Sequence, residues 1–566
     1  MKIHILLLFL VTFFFDNIAL AETHPYWIFF TDRGAVNIEK AVAAKAASFS
    51  EPKNQSRRAR FMDKSKLFDE RDLPVNPDYI QKIREITGTI RSVTRYFNGV
   101  TAELNENSLA KVKNLPFVKS VSPVKILVKP VTPEKPGSLN TEGEQNLLNL
   151  SYGNSFDQLN LINLINIHKL GYLGTGIKIA VFDSGFEDLE HTAFDSLQVS
   201  NEWDFVDGND NPFDDYHGSQ VLSIMAALDK GKMIGAAPYA TYFLARTEIN
   251  GPELRVEEDY WVSAAEWADS LGVDIINSSV GYNTFDDGTG YTYSDLNGSK
   301  AIITITADIA AEHGIVVISS AGNEGNKTWH YVTVPADGFN VLAVGSVDLN
   351  GKVSVFSSRG PTYDGRIKPD FTALGENVLV VNTKSTNEYV KNSGTSFAAP
   401  AVSGAVALIL EANPSWGPEE VRNALETTAS KGVSEADSLY GYGIIDAFAA
   451  SGLVMPEPEV SSFKAYNPYP QPFNMNKGDS KIFIYFPVDI PAQGKVSVNI
   501  FNFNGENVKT VETEYDKAGL KRDRTEAGAP RWDGTNFTGD TVSPGVYYYT
   551  IKFGHNKHTG KIAVIR

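Results

Sequence analysis

The sequence predicts an α/β fold, a parallel sheet with helices on both faces, preceded by a small α+β domain and followed by a small β-sandwich. The central prediction rests on residues 150–455, where short, almost wholly apolar runs alternate with amphipathic segments of helical length. These runs are IKIAVF, VDIINSSV, GIVVISSA and NVLAVGSV. The flanking predictions rest on a mixed strand and helix pattern before this region and on period-two strands after it.

Length and composition limit the classes of protein that fit. A chain of 566 residues has room for about three or four domains. Hydrophobic residues make up 42% and charged residues 21%, a balance that allows ordinary cores. The chain contains no Cys, which excludes disulfides, cysteine metal sites and thiol catalysis. A formal charge of -17 argues against a nucleic-acid partner, because phosphate binding needs a basic face.

Residues 1–21 have the pattern of a signal peptide. Lys2 precedes an apolar run over 5–15, and Ala19 and Ala21 form an A-x-A pattern before Glu22. The run is too short to span about 30 Å of hydrocarbon as a stable anchor, and no later apolar stretch reaches about 18 residues. We therefore expect an exported protein, secreted or at the cell surface, without a transmembrane anchor.

Residues 22–135 are predicted to form the α+β domain. They contain a strand (YWIFF), a helix (PDYIQKIREITGTI), a strand (RYFNGVTAEL), a helix (SLAKVKNLPFV) and a strand (VSPVKILV), which together suggest a small β-α-β-β-α-β domain. They hold 20 Lys and Arg against 13 Asp and Glu, whereas residues 136–566 hold 30 against 54. This asymmetry reflects either chance and solubility or binding between the two parts. A Pro-rich and Gly-containing stretch over 130–150 predicts an exposed linker and a site of proteolysis.

Residues 461–566 follow a second linker, MPEPEVSS, and are predicted to be all-β. The strands KIFIYF, KVSVNIF, VYYYTIKF and HTGKIAVIR are separated by Gly, Asn and Asp turns, and no pattern of helical length occurs among them. This arrangement is typical of a small antiparallel β-sandwich.

Three motifs in the α/β region carry candidate chemistry. In IAVFDSG, Asp183 follows a buried strand, at the edge of the sheet where ligands gather in such folds. In HGSQVLSIMAAL, His217 precedes a core-facing helix. In NSGTSFAAPAVSGAVALIL, Ser396 lies at the start of an apolar helix, with Pro400 in its first turn, where free N–H groups suit oxyanion chemistry. Each motif alone is also typical of a turn, a structural His or a helix cap.

In the order Asp…His…Ser, the three motifs resemble those of the subtilisin-like serine peptidases, or subtilases. The resemblance covers about residues 150–450, and GTSFAAP is a specific signal. It implies a subtilisin-like sheet and acyl transfer, in which Ser396 attacks a peptide carbonyl, His217 moves the proton and Asp183 orients the imidazole. Asn323 in VVISSAGNEG matches the family's side-chain oxyanion donor, a plain turn residue being the alternative.

The resemblance also suggests where a substrate lies. NSSVGY resembles the family's segment that pairs with an extended substrate, which implies that Ser279, Val280 and Gly281 line the pocket for the residue before the cut. Glu257 and Glu258 in RVEEDYW align near the outer pockets, which suggests a preference for basic side chains a few positions before the cut. A solvated acidic turn is the alternative for these two residues.

Two positions raise separate questions. The second His of the family's HGTH motif is Gln220 here, which is expected to leave catalysis intact because that residue is outside the triad. Asp204 and Asp207 in WDFVDGNDNPFDD resemble a calcium loop of some family members, although acidic turns are common. The chemistry requires no cofactor, and structural calcium stays open.

The flanking domains have resemblances of their own. YFNGVTAELNENSLAKVKNLPFVKSVSPVK resembles the inhibitory propeptide of subtilases, which implies docking on the acidic enzyme and a cut near 130–150; a permanent accessory domain is the alternative. NPYPQPFN, KVSVNIFNFNGENVKTV and WDGTNFTGDTVSPGVYYYTIKF resemble sorting domains of type IX secretion, which share this pattern with flagellar-hook-capping immunoglobulin-like modules. That resemblance implies contact with a secretion machinery, and a retained sandwich that binds a surface glycan or protein is the alternative.

The leading hypothesis is a secreted serine endopeptidase that acts on polypeptides and is made as a self-processing zymogen. A catalytically silent surface binding protein on a peptidase-like scaffold is the alternative, disfavoured by the intact Asp183, His217, Ser396 and Asn323. An esterase with the same acyl chemistry is disfavoured because no G-x-S-x-G elbow surrounds Ser396.

Overall fold

The computed structural model describes residues 23–34, 37–48, 57–60, 62, 67–124, 150–286, 288–455, 462–475, 483–522, 524 and 528–565. They belong to two compact units, Met1–Leu453 and Val454–Arg566. The predicted signal peptide and residues 130–149 of the predicted linker lie outside the described residues.

The N-terminal part of the first unit is an antiparallel four-stranded sheet that packs against two of its helices. Ile83 and Val112 of those helices share a buried core with Ile28 and Val100 of the sheet. Asn76 and Asn105 cap the two helices by accepting backbone N–H bonds. The elements are β1 (His24–Phe30), α1 (Ile38–Ser48), α2 (Pro77–Thr87), β2 (Ser92–Thr94), β3 (Gly99–Leu104), α3 (Glu106–Lys113) and β4 (Val118–Pro123), with strand order β2-β3-β1-β4.

Two features of this part differ from the predicted elements. The sequence predicts one strand over 95–104, but residues 95–98 form a turn between β2 and β3, in which Asn98 has a φ of 49°. Helix α1, which is rich in Ala, is not predicted at all, although Ala has the highest helix propensity.

The rest of the first unit is built on a seven-stranded parallel sheet, as predicted. Its strand order is β13-β12-β11-β10-β5-β9-β6, and every neighbouring pair is parallel. The elements are α4 (Phe156–Asn160), α5 (Ile165–Lys169), β5 (Lys178–Asp183), β6 (Gln198–Asp204), α6 (His217–Ala226), β7 (Leu228–Asp229), β8 (Met233–Ile234), β9 (Thr241–Arg246), α7 (Val256–Ser270), β10 (Ile275–Ser278), α8 (Ile302–Glu312), β11 (Val316–Ser320), β12 (Leu342–Val347), β13 (Phe371–Leu374), β14 (Val378–Val381), β15 (Tyr389–Asn392), α9 (Thr395–Ala412), α10 (Pro418–Thr428) and α11 (Ala447–Ser451).

Two hydrophobic cores lie in this part, and both contain side chains of the sheet. One holds α6 and α9, through residues such as Val221 and Val402, and the other holds α7 and α8, through Trp261 and Ala307. The strands contribute to both cores because successive side chains point to opposite faces. The parallel sheet with helices on both faces that the sequence predicts is therefore confirmed.

Helix α9 is the most apolar long helix of the described chain. Its length and composition would allow it to cross a membrane, but 83% of it is buried inside the protein. A core helix of a globular protein has the same composition. This burial fixes the start of α9, and with it Ser396, against the sheet.

The second unit contains three β-sheets around one core, and no helix among its described residues. Phe473, Ile484, Val488 and Val498, which come from all three sheets, share that core. The pairing is antiparallel except for β17, which runs parallel to β25. The strands are β16 (Lys464–Ala465), β17 (Phe473–Asn474), β18 (Ile484–Tyr485), β19 (Val488–Ile490), β20 (Gly494–Phe501), β21 (Asn507–Tyr515), β22 (Gly519–Lys521), β23 (Arg531–Trp532), β24 (Gly545–Phe553) and β25 (Asn556–Ile565).

Candidate active site

Asp183 and His217 form a hydrogen-bonded pair at the carboxyl edge of the parallel sheet. Asp183 is the last residue of β5 and is fully buried, and His217 is the first residue of α6. The Nδ1 atom of His217 lies 2.6 Å from Oδ1 of Asp183, and the backbone N–H of Ser184 donates to the same oxygen at 2.9 Å. The carboxylate therefore fixes the ring orientation and leaves Nε2 of His217 as the proton acceptor.

The surroundings of His217 favour its protonated form. Burial acts to lower the pKa of His217, but the charge of Asp183 and its hydrogen bond outweigh burial. Asp215 and Glu248 act in the same direction, so the pKa lies above its ordinary value. Such a ring can take a proton from a nucleophile and hold it as an imidazolium beside the carboxylate.

Ser396 is the second residue of α9, and its backbone is held by a neighbouring strand end. Pro400 lies inside the helix, not in its first turn as expected, so the carbonyl of Ser396 has no N–H donor at position i+4. Ser279, just after β10, supplies the missing donor, and its Oγ donates to that carbonyl at 3.0 Å. In this turn the N–H of Thr395 donates to Asn323 and that of Phe397 to the carbonyl of Gly394, which leaves the N–H of Ser396 for another acceptor.

Asn323 is oriented by the first residue of α9. Its Oδ1 accepts bonds from the backbone N–H of Thr395 at 2.9 Å and from the Thr395 hydroxyl at 3.0 Å. Since the side-chain oxygen is occupied by these two donors, the Nδ2 group is the free end of the amide. An N–H donor beside a helix N-terminus can stabilise a negative oxygen.

One cleft brings the predicted residues together. It has a volume of about 420 Å³ and is lined by His217, Ser396, Asn323, and the segment Ser279–Gly281. A β-carbon on Gly281 would stand 2.5 Å from Oγ1 of Thr333, which explains the glycine at this wall. The cleft thus contains Ser396, the imidazole of the His217–Asp183 pair, the amide donor of Asn323 and an extended chain segment.

Three of the carboxylates that line this cleft form a cluster, and sequence analysis identifies only one of the three. Glu248, Glu253 and Glu257 have carboxylate oxygens within 4.8 Å of one another. Glu248 follows β9 by two residues, and this place at the carboxyl edge of the sheet is the signal that could have identified it. Burial, helped by the charge of Asp183, raises the pKa of Glu248 to about 7. Burial and repulsion from Glu248 raise the pKa of Glu253 to about 8, and burial and repulsion from both of these raise that of Glu257 to about 10.

Glu258 is not among the residues that line this cleft. It is buried, and its carboxylate is bound by Arg255 at 3.1 Å and by the Tyr291 hydroxyl. The expected role of Glu258 in an outer pocket is therefore not supported by its position, because its charge is already compensated inside the protein.

Asp204 and Asp207 do not form the cation site that their spacing suggests. The guanidinium of Arg246 binds Asp204 at 2.7 Å and Asp207 at 2.8 Å, and also binds Asp214 at 2.6 Å. Arg246 ends β9 directly beside Asp204 at the end of β6. The arginine supplies the positive charge that calcium would bring, so these residues do not fit a calcium site.

Gln220 lies one helical turn from His217 but is directed elsewhere. Its Oε1 accepts from Nδ2 of Asn392 at 2.6 Å, and Asn392 belongs to β15. The side chain thus fastens α6 to the β14–β15 hairpin. It has no hydrogen bond to His217 or Asp183 among the contacts of the described residues.

The N-terminal sheet binds to the parallel-sheet part through α7. The carboxylate of Glu266 accepts the backbone N–H groups of Arg95 at 3.0 Å and Tyr96 at 3.1 Å, in the turn after β2. Arg91 forms an ion pair with the buried Asp259 at 3.1 Å. Basic residues of the N-terminal part therefore meet acidic residues of α7, in keeping with the charge asymmetry of the sequence.

Comparisons with known proteins agree with this geometry. The subtilase family pattern matches residues 174–443, and that of the peptidase S8 propeptide domain of Bacteroidota matches residues 25–140. The chain is 32% identical over 290 residues to a subtilisin of Bacillus pumilus, covering 50% of this chain and 94% of that protein. It is 29% identical over 374 residues to subtilisin E of Bacillus subtilis (strain 168), covering 65% of this chain and 84% of that protein.

Among solved structures, fervidolysin from Fervidobacterium pennivorans, a keratinolytic enzyme related to subtilisin, has the same fold. Its TM-score is 0.51 at 20% sequence identity, over 94% of this chain and 71% of that one. The sequence relationships, the parallel sheet and the cleft at its carboxyl edge lead to one identification: the chain belongs to the subtilase family of serine peptidases and carries a propeptide domain of that family.

Proposed function

We propose that the protein is a secreted serine endopeptidase, made as a self-processing zymogen, in which Asp183, His217 and Ser396 are the catalytic triad. The observation that carries this proposal is the 2.6 Å contact between His217 and Asp183 in the cleft that Ser396 and Asn323 also line. The residue types and their shared cleft support acyl transfer.

In the proposed reaction, His217 accepts the hydroxyl proton of Ser396 as Oγ attacks the peptide carbonyl. Asp183 stabilises the imidazolium, while Nδ2 of Asn323 and the backbone N–H of Ser396 bind the oxyanion. His217 then gives the proton to the leaving amine, and an acyl-enzyme forms. Water, activated by His217, attacks the acyl carbonyl and releases the carboxylic acid and free Ser396.

The acidic wall of the cleft favours substrates with basic side chains. Ser279, Val280 and Gly281 are assigned to the pocket for the residue before the cut. Glu257 lines the cleft together with Glu248 and Glu253, and burial of three mutually repelling carboxylates favours a cationic partner. Lys or Arg a few positions before the cut would supply that charge.

The flanking regions fit the same function. The N-terminal domain that packs on α7 acts as the inhibitory propeptide, and a cut within 130–150 separates it from the enzyme. Residues 1–21 direct export as a signal peptide. The C-terminal β-rich unit acts as a sorting domain for type IX secretion, a role that its sequence pattern supports.

The experiment that tests the function compares the wild type with Ser396→Ala. Both proteins are incubated and analysed by intact mass, N-terminal sequencing and hydrolysis of a peptide library. We expect only the wild type to lose the segment before about residue 150, and Ser396→Ala to reduce turnover by about 10⁶-fold. Retained hydrolysis in Ser396→Ala would refute the assignment. A wild type that neither processes itself nor cleaves any peptide, even after the linker is cut by an added protease, would favour the surface binding protein.

A further inference from the structure

Arg57 of the N-terminal domain is held by the catalytic part as a ligand is held in a pocket. Its side chain is 2% exposed. The guanidinium donates to the carbonyl of Val273 at 2.6 Å, to the carbonyl of His313 at 3.3 Å and to Oδ1 of Asp269 at 2.5 Å. All three acceptors belong to the catalytic part of the chain.

The three acceptors suit a guanidinium better than an ammonium. Asp269 lies in the last turn of α7, Val273 follows that helix by three residues, and His313 caps the end of α8. Carbonyls at helix C-terminal ends carry partial negative charge and favour cations. A planar fork with five donors can reach three acceptors in different directions at once, whereas Lys is a compact point charge.

Asp269 attracts two more arginines of the same domain. Its Oδ2 is 3.0 Å from Arg58 and 2.9 Å from Arg95. Burial acts to raise the pKa of Asp269, but Arg58, His313 and Arg57 lower it well below its ordinary value. Removal of the N-terminal domain would leave Asp269 with His313 but without its three arginines, and would leave two helix-end carbonyls without a guanidinium donor.

This site is separate from the catalytic cleft. Glu257, which lines the cleft, lies at the first turn of α7, whereas Asp269 lies twelve residues later on the same helix. At 1.5 Å per residue the two are about 18 Å apart along the helix axis. A peptide bound at Asp269 would therefore leave the cleft open to a substrate.

We propose that Asp269 and the carbonyls of Val273 and His313 form an arginine-binding exosite. The propeptide fills it with Arg57, and an arginine-containing peptide takes it after the propeptide has left. The second half of this inference rests on the proposed removal of the propeptide, whereas the first half does not.

The first test uses the full chain in the Ser396→Ala background, where no processing is expected. Arg57→Ala empties the pocket while the propeptide stays attached. We expect millimolar ethylguanidinium to raise the unfolding midpoint of Arg57→Ala by about 2 °C or more, because a ligand that binds only the folded state stabilises it. Ethylammonium should have no such effect. The matched control is Arg84→Ala, since Arg84 is an exposed arginine of α2.

Arg57→Lys serves as a second variant if Arg57→Ala does not fold. It should be less stable than the parent because an ammonium cannot reach all three acceptors at once, and equal stability of Arg57→Lys and the parent would overturn the proposal. An equal response of Arg57→Ala and Arg84→Ala to ethylguanidinium would also overturn it. So would selective stabilisation that persists after Asp269→Asn is added.

The second test uses processed enzyme whose serine has been blocked by a sulfonyl fluoride. A fluorescent peptide Gln-Ser-Arg-Arg-Ala-Arg, the sequence of residues 55–60, is titrated and followed by anisotropy. We expect binding at least about tenfold weaker when the first arginine is replaced by Lys, or when the enzyme carries Asp269→Asn. Equal affinities would overturn the exosite. Failure of the wild type to process would count against the proposed function alone, and the first test would then decide the arginine site.

Discussion

The hydroxyl of Ser279 donates to the backbone carbonyl of Ser396 at 3.0 Å, and this carbonyl lacks a helical partner because Pro400 has no N–H. The bond connects the end of β10 with the start of α9. The segment assigned to substrate binding thereby positions the residue assigned as nucleophile. A change at Ser279 should therefore affect both stability and turnover.

We expect Ser279→Ala to lower the free energy of unfolding by about 1–2 kcal/mol, because a buried carbonyl loses its donor. The value of kcat/KM should fall about tenfold as the start of α9 shifts. In a Pro400→Ala background the helix regains an N–H for this carbonyl. There Ser279→Ala should lower the free energy of unfolding by less than half as much. Chemical unfolding of the four proteins in this double-mutant cycle measures the coupling. Equal costs in both backgrounds would show that the bond has no positioning role.

The oxygen and the nitrogen of the Asn323 amide have different roles. Its oxygen holds Thr395, and its nitrogen is assigned to the oxyanion. Asn323→Asp keeps an oxygen acceptor for Thr395 but removes the N–H donor. We expect kcat to fall by about 10²–10³-fold, with KM changed little and the unfolding midpoint near that of the wild type. A loss confined to KM would mean that Asn323 binds the substrate without stabilising the oxyanion.

The raised pKa of His217 predicts the pH dependence of the reaction. Only neutral His217 can accept the proton of Ser396, so kcat/KM should rise with pH through a pKa above the ordinary value of 6.5. Asp215 contributes to the raised pKa from within the cleft. In Asp215→Asn the rising limb should shift toward lower pH, measured as kcat/KM on one peptide from about pH 5 to about pH 9. If kcat/KM of Asp215→Asn rises at the same pH as that of the wild type, the pH dependence belongs to a group other than His217.

The sequence predicts the positions of the candidate site residues because parallel strands place their last residues on one edge. Asp183 at the end of β5 and Ser396 at the start of α9 follow from hydrophobic patterns and short motifs. The side on which a helical residue points does not follow so readily. Consecutive residues on a helix differ by about 100° in direction, so Glu257 lines the cleft whereas Glu258 pairs with Arg255, although both side chains are buried.

Contacts between distant segments account for the other differences. Asp204 and Asp207 suggest calcium as long as only their own loop is considered, but Arg246 comes from a neighbouring strand. Ser279 and Ser396 are 117 residues apart in the chain, so no local pattern reveals their bond. Arg57 belongs to a segment for which the sequence predicts no element, and its acceptors lie more than 200 residues away.

The pairing of Arg246 with three carboxylates gives a prediction about metal dependence. We expect the thermal unfolding midpoint of the protein to be unaffected by calcium or by a chelator. The guanidinium of Arg246 already compensates the charge of Asp204, which is 1% exposed. Arg246→Met should lower the free energy of unfolding by about 3 kcal/mol, since it leaves a buried carboxylate without its partner. Asp214→Asn, at an exposed carboxylate of the same group, should cost about 1 kcal/mol or less. If calcium raises the unfolding midpoint of the wild type but not that of Asp204→Asn, these residues do bind calcium and the prediction is wrong.

The raised pKa values in the cleft make substrate preference depend on pH. The raised pKa values keep Glu248 and Glu253 largely protonated below about pH 6. Glu248 ionises as the pH rises through about 7, and Glu253 as it rises through about 8. Discrimination in favour of Lys or Arg over a neutral side chain should therefore increase between about pH 6 and about pH 9, as the wall becomes negative.

Glu253→Gln tests this dependence, because Glu253 lies in the cleft and is only partly buried. It should reduce the ratio of kcat/KM for basic over neutral peptides by about fivefold to tenfold at pH 8.5, and by less at pH 6. Glu258→Gln is the matched control on α7, since its amide oxygen can still accept from Arg255 and it leaves the cleft wall unchanged. If both variants keep the wild-type ratio of kcat/KM for basic over neutral peptides at every pH, these carboxylates do not contact basic side chains of the substrate, and the predicted preference is wrong.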